Sequence, residues 1–116
     1  MFDPSVLERL ASQASLHGDG GLVRELVHDA LVSIAHCATE LELAARTSDL
    51  ARLRSHAHRI KSVLRQVGAA RMGHEAERVE TLAAANDLGA VRHAEVVLGL
   101  RHETERAIHE HLGRLG

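Results

Sequence analysis

One phenylalanine, Phe2, is the whole aromatic content of a 116-residue chain that is 45% hydrophobic. A core without aromatic rings has to be filled by Leu, Ala, Val and Ile. Ala and Leu are strong helix formers. The single proline stands at position 4, so no proline interrupts a helix further along. A β-sandwich or barrel would need β-branched and aromatic alternation with frequent turn signals, which this sequence lacks. The expected fold class is all-α: an antiparallel four-helix bundle with a short additional N-terminal helix, forming one domain over residues 1–116.

The helix punctuation supports that expectation. Asp3 and Pro4 suit an N-cap and first helical position, opening a short helix to about Ala14. "HGDGG" at 17–21 ends it. A long second helix follows over about Leu22–Arg46, where Leu26, Ala30, Ile34, Cys37, Leu41 and Ala44 recur at three and four residues and face a core. "TSD" at 47–49 is a loop with capping residues. A third helix is expected from about Asp49 to Val67, stopped by Gly68, and a fourth over about Ala70–Ala85, ending at "ANDLG". A fifth is expected from Leu88 or Gly89 to Leu112. Its stripe is Val91, Val97 or Leu98, Ile108, Leu112 and Leu115, and Gly99 weakens it locally.

Charge and composition exclude several classes. A formal net charge of −2 is a poor match for a nucleic-acid binder. No apolar run approaches the roughly 20 residues that cross a bilayer, so no direct membrane contact is expected. The opening "MFDPSVLERL" is acidic and amphipathic, unlike a secretory signal. The single cysteine, Cys37, excludes an internal disulfide, suits a reducing compartment, and reads as a small buried apolar residue. Ten histidines invite a metal reading, but those outside the third helix contain no pair at three or four residues, so spacing predicts no metal site.

Two of the histidines, His56 and His58, lie in "HAHRIKSVLRQVGA". On a helix at about 100° per residue, Leu50, Leu53, Ala57, Ile60, Leu64 and Val67 form the core stripe. His56 and His58 project about 200° apart and cannot chelate one ion together. His58 shares its face with Arg54, Lys61, Ser62 and Arg65, a basic and solvent-facing patch, whereas His56 falls on the other flank with Arg59 and Val63. An unprotonated imidazole is a nucleophile, and cations beside it stabilise the oxygens of a phosphoryl group in transfer. These residues fit a phosphoryl-acceptor site, but by themselves they are a weak signal, because a surface histidine near Lys and Arg is usually just solvated surface.

The stretch "AHRIKSVLRQVGAARM", Ala57 to Met72, resembles the signature of histidine-containing phosphotransfer (HPt) domains, roughly A-H-x-L-K-G-(S/A)-(S/A)-x-x-x-G-A-x-x-L. The phosphoacceptor falls on His58, the hydrophobic position on Ile60, the lysine on Lys61, the Gly-Ala pair on Gly68 and Ala69, and the following Leu on Met72. The family's later Leu-Glu pair falls on Val79 and Glu80. "SDLARLRSHAH" resembles the lead-in to the site helix. The resemblance covers the whole length. It departs at Ser62, where the family has a glycine that leaves room for the partner. Ser62 either crowds the partner or offers a hydroxyl to the phosphoryl group.

The resemblance implies a phosphorelay. His58 accepts a phosphoryl group from a receiver-domain aspartate and passes it to another receiver, Lys61 stabilises the phosphoryl charge, and Glu80 accepts a hydrogen bond from the imidazole or a neighbouring cation. Arg54, Ala57 and Arg65 would dock the partner, and Gly68 and Ala69 would be structural. The partners are response-regulator receiver domains. The carrier needs no nucleotide, metal or other cofactor of its own, because Mg²⁺ comes with the receiver. It is expected to be a cytoplasmic monomer in bacterial two-component signalling, either free-standing or, as the preferred expectation, the C-terminal part of a membrane-anchored hybrid sensor histidine kinase. The alternative is a degenerate, non-phosphorylatable bundle that serves as an interaction module, a reading favoured by Ser62 and opposed by intact His58 and Lys61.

Overall fold

In a computed structural model, residues 4–6, 8–9 and 21–115 are described, with side chains for 24–111 of the last range. Residues 4–6 and 8–9 are helical. The cap at Asp3, the end of the first helix near Ala14, the break at 17–20 and the side chains of Leu112 and Leu115 lie outside the described residues. Five helices follow: α1 (Gly21–Arg46), α2 (Leu50–Gln66), α3 (Ala70–Ala84), α4 (Gly89–Gly99) and α5 (Arg101–Leu115). α2 packs between α1 and α3. α4 closes the bundle against α3 and α1, and α5 continues along α1.

The three turns that reverse the chain share one chemistry. At each, a residue in the left-handed region follows the helix, namely Ser48 (φ 50°), Gly68 (φ 79°) and Asn86 (φ 57°). The next amide then reaches back five residues: Asp49 N–H to Ala44 O, Ala69 N–H to Leu64 O, and Asp87 N–H to Leu82 O, each at 2.9 Å. These paired bonds satisfy carbonyls that a helix end leaves open. Asp49 then caps α2, its Oδ1 accepting the Arg52 N–H at 3.1 Å. The short "TSD", "GA" and "AND" connections therefore enforce antiparallel neighbours, which brings α2 and α3 side by side.

The core is aliphatic. Val27, Ile34 and Leu41 from α1, Leu53, Ala57, Ile60 and Leu64 from α2, Met72, Ala76 and Val79 from α3, Ala90, Ala94 and Val97 from α4, and Ile108 from α5 are buried together. Among the described residues no polar or charged residue is buried with them. Cys37 is buried, and that burial pushes its thiol up against the pull of Arg59.

Two expectations need correction. Leu26 is 45% exposed and Val27 takes its place in the core. Val27–Ala30 and Leu26–Ala30 are spaced three and four residues, both compatible with one stripe, so periodicity could not choose between them. The last helix is not continuous. The Leu100 amide bonds to Val97 O, three residues back, at 3.1 Å. That tight turn divides α4 from α5 directly after Gly99.

Candidate functional site

The core stripe of α2 fixes the azimuth of everything else on that helix. With Ala57 and Ile60 fully buried, His58 is turned outward and its ring is 63% exposed. Lys61, one turn on, does not face open solvent as expected. It lies along α3, and its side chain is 13% exposed. The reason is Glu80, projecting from α3 beside buried Val79. The Lys61 Nζ donates to Glu80 Oε1 at 2.5 Å, and the His58 Nδ1 contacts Glu80 Oε2 at 2.5 Å. One carboxylate therefore holds two side chains of the neighbouring helix, one with each oxygen.

The electrostatics decide the imidazole's tautomer. The Lys61 hydrogen bond holds the Glu80 carboxyl below the usual carboxylate range; partial burial pulls the other way, and His58 adds to the lowering. An ionised carboxylate has no proton to give, so Nδ1 must carry the hydrogen in this contact. In the neutral ring that leaves the lone pair on Nε2. The arrangement thus presents a nucleophilic nitrogen on an exposed ring whose other nitrogen is anchored.

The remaining residues of the expected patch separate. Arg65 is not a free cation: its guanidinium donates to Glu77 Oε2 on α3 at 3.1 Å. Ser62 is exposed, and its Oγ donates to its own helix at His58 O (3.2 Å). Arg54 is exposed and lines a recess with Ala51, Ser55, His58, Arg59 and Glu80. Ala57 was expected to dock a partner, but it is fully buried and offers no side-chain surface. Its place on the core stripe excludes that role. Gly68 supplies the left-handed turn after α2, and buried Ala69 donates the amide that closes it.

His56 lies on the opposite flank at the α1 interface. Its side chain is 15% exposed, with Nε2 3.8 Å from Glu40 Oε2 on α1. Its Nδ1 is buried without a hydrogen-bond partner. A histidine enclosed in this way cannot meet a second protein as His58 can. Among the described residues no three metal-ligating side chains converge. His93 Nε2 and Glu75 Oε2 make a second short histidine–carboxylate contact, at 2.5 Å between α4 and α3, with both side chains largely covered.

Two participants were missed. Glu77 neutralises Arg65. Arg59, grouped with His56 on the wheel, lines two recesses that touch His58. The Glu77 signal was available: acids three apart at 77 and 80 face cations four apart at 65 and 61 across an antiparallel turn. Each pair sums to nearly the same residue number, as antiparallel neighbours must.

A family model described as Hpt domain matches residues 21–115, from the first residue of α1 to the last of α5. No curated protein and no solved structure gives a significant match.

Proposed function

The chain belongs to the Hpt domain family, whose members carry phosphoryl groups in two-component signalling and interact with receiver domains, and from that premise we propose that His58 is the phosphoacceptor of a relay between receivers. The observation that carries this reading is the pair of contacts on Glu80, which anchors Nδ1–H of an exposed ring and leaves Nε2 to react.

The Nε2 lone pair attacks the phosphorus of a receiver's aspartyl phosphate in line. The N–P bond forms as the P–O bond to the aspartate breaks, and the aspartate carboxylate departs with the electron pair. The ring becomes cationic, with its Nδ1–H still aimed at Glu80. A charge-assisted hydrogen bond of about 1.5–3 kcal/mol that strengthens in this way corresponds to roughly 10–100-fold in rate. Transfer onward reverses the balance: an aspartate oxygen of the second receiver attacks phosphorus, the N–P bond breaks, and the imidazole recovers its electron pair. Any Mg²⁺ belongs to the receiver's carboxylates, and no step uses a cofactor held by this chain.

Lys61 acts through Glu80. Its ammonium keeps the carboxylate ionised and in place, and release from Glu80 would be needed for it to touch the phosphoryl group. The Ser62 hydroxyl is engaged by its own helix, so its cost is the volume it adds beside the imidazole. The same assignment holds for a free-standing carrier and for the terminal domain of a hybrid sensor kinase. No described helix is long and apolar enough to cross a membrane.

The test is phosphotransfer from a panel of receiver domains carrying aspartyl phosphate. Acid-labile, alkali-stable label on wild type and His56→Gln, absent from His58→Gln, is expected. Absence of label from every form with every donor overturns the assignment in favour of an interaction module. Label that persists in His58→Gln and disappears in His56→Gln puts the acceptor two residues earlier.

A further inference from the structure

His58 stands between two recesses of different chemistry. Towards α1 the lining includes Val32, Ser33, Cys37 and Val63, with Val32 56% exposed. Towards α3 the lining is mixed, with the charged Arg54 and Glu80 beside Ser55 and Ala51. Arg59 belongs to both. The charges along α2 are unevenly compensated. Arg52 pairs with Asp49, Lys61 with Glu80 and Arg65 with Glu77. Arg54 and Arg59 are exposed, and among the described residues neither has a carboxylate within ion-pair distance. The cations left uncompensated on α2 are therefore the two that flank the reactive ring, in a chain whose formal net charge is −2.

We propose that Arg54 and Arg59 are a docking pair that selects receivers whose phospho-aspartate pocket is rimmed by carboxylates, with the Val32–Val63 recess as the adjoining apolar seat. This rests on the phosphocarrier assignment and adds what chooses the partner. A receiver that holds Mg²⁺ beside its aspartate does so with oxygen ligands, chiefly carboxylates, so the mouth of its pocket is acidic. Complementary charge at that mouth acts on the rate of encounter more than on the lifetime of the complex. Because neither Arg54 nor Arg59 is ion-paired among the described residues, docking breaks no ion pair there. Guanidinium groups also suit two-point recognition of carboxylates better than an ammonium does. Lys61 and Arg65 cannot serve in the same way, because Glu80 and Glu77 already neutralise them.

The test is rapid-quench phosphotransfer from a panel of phosphorylated receiver domains, chosen with acidic, neutral and basic surfaces around the aspartate. Wild type is compared with Arg54→Glu/Arg59→Glu and with the charge-matched control Arg92→Glu/Arg106→Glu, exposed residues of α4 and α5. Circular dichroism first verifies that each variant is folded, as expected for exposed substitutions. For acidic-rimmed donors the docking variant loses about tenfold or more in second-order rate constant at low salt. The gap narrows at about 1 M salt, where the screening length is about 3 Å, and the control stays near wild type. Equal losses in both variants, no loss in either, or a loss insensitive to salt overturns the docking pair while leaving the carrier intact. A wild type that accepts label from no receiver overturns the carrier assignment and the docking pair together.

Discussion

Replacing Glu80 with glutamine leaves the shape of the site and removes the charge that organises it. The wild-type carboxylate accepts from Lys61 Nζ and from His58 Nδ1, both at 2.5 Å. Glutamine keeps an acceptor oxygen for Lys61 but turns an NH₂ group to His58 Nδ1, which can answer it only in the other tautomer, and neither contact is then to an ionised carboxylate. Hydrogen bonds to charged groups contribute about 1.5–3 kcal/mol net. Lys61, at 13% exposure, has little water to turn to, whereas the His58 ring is mostly in solvent. The loss should therefore come mainly from Lys61, about 2 kcal/mol in all. That corresponds to a fall in melting temperature of about 8 °C at a domain of this size. The pH dependence has a definite sign. Glu80's folded pKa is depressed, chiefly by the Lys61 hydrogen bond. Its contribution is therefore full above the ordinary carboxylate range and is lost as pH falls through the lowered folded value. Urea unfolding of wild type and Glu80→Gln, followed by far-ultraviolet circular dichroism, should show the full gap near pH 7 and a closing gap in acid. A gap below about 0.5 kcal/mol at pH 7, or one that does not close in acid, would refute this view of the Glu80 contacts.

Two further substitutions test the fold. Leu41→Ala should cost about 3 kcal/mol in urea unfolding, because Leu41 is fully buried, whereas Leu43→Ala two residues on should stay within about 0.5 kcal/mol, because Leu43 is 49% exposed. Similar losses at the two sites would mean that α1 is rotated from the azimuth described. Gly68→Ala should destabilise by about 1–2 kcal/mol, since φ is 79° there; a neutral or stabilising result would show that the α2–α3 turn does not use the left-handed conformation.

Helix positions were legible because their signals are local. Asp49 is a capping residue at the start of α2, and Gly68 is the stop residue the α2 end requires. The stripe through Leu53, Ala57, Ile60 and Leu64 specifies which side of α2 is covered. Periodicity is blind to what the next helix brings. It put Lys61 and Arg65 in water, yet Glu80 and Glu77 arrive from α3 to pair with them. It also left Leu26 and Val27 indistinguishable, because the choice depends on where α1 rests on its neighbours. The break after Gly99 was half visible: the glycine marked a weak point, but only packing could decide that Leu100 turns there. His58 itself was singled out by its match to the family signature. Spacing separated it from His56 but did not assign the chemistry.

Long-range ¹H–¹⁵N correlation spectroscopy on the imidazoles, before and after phosphorylation by a competent receiver, reads out which nitrogen of which histidine carries the phosphorus. The Glu80 contact calls for phosphorus on Nε2 of His58, with Nδ1 still protonated and hydrogen-bonded. Phosphorus on Nδ1 of His58, or on another histidine, would contradict it.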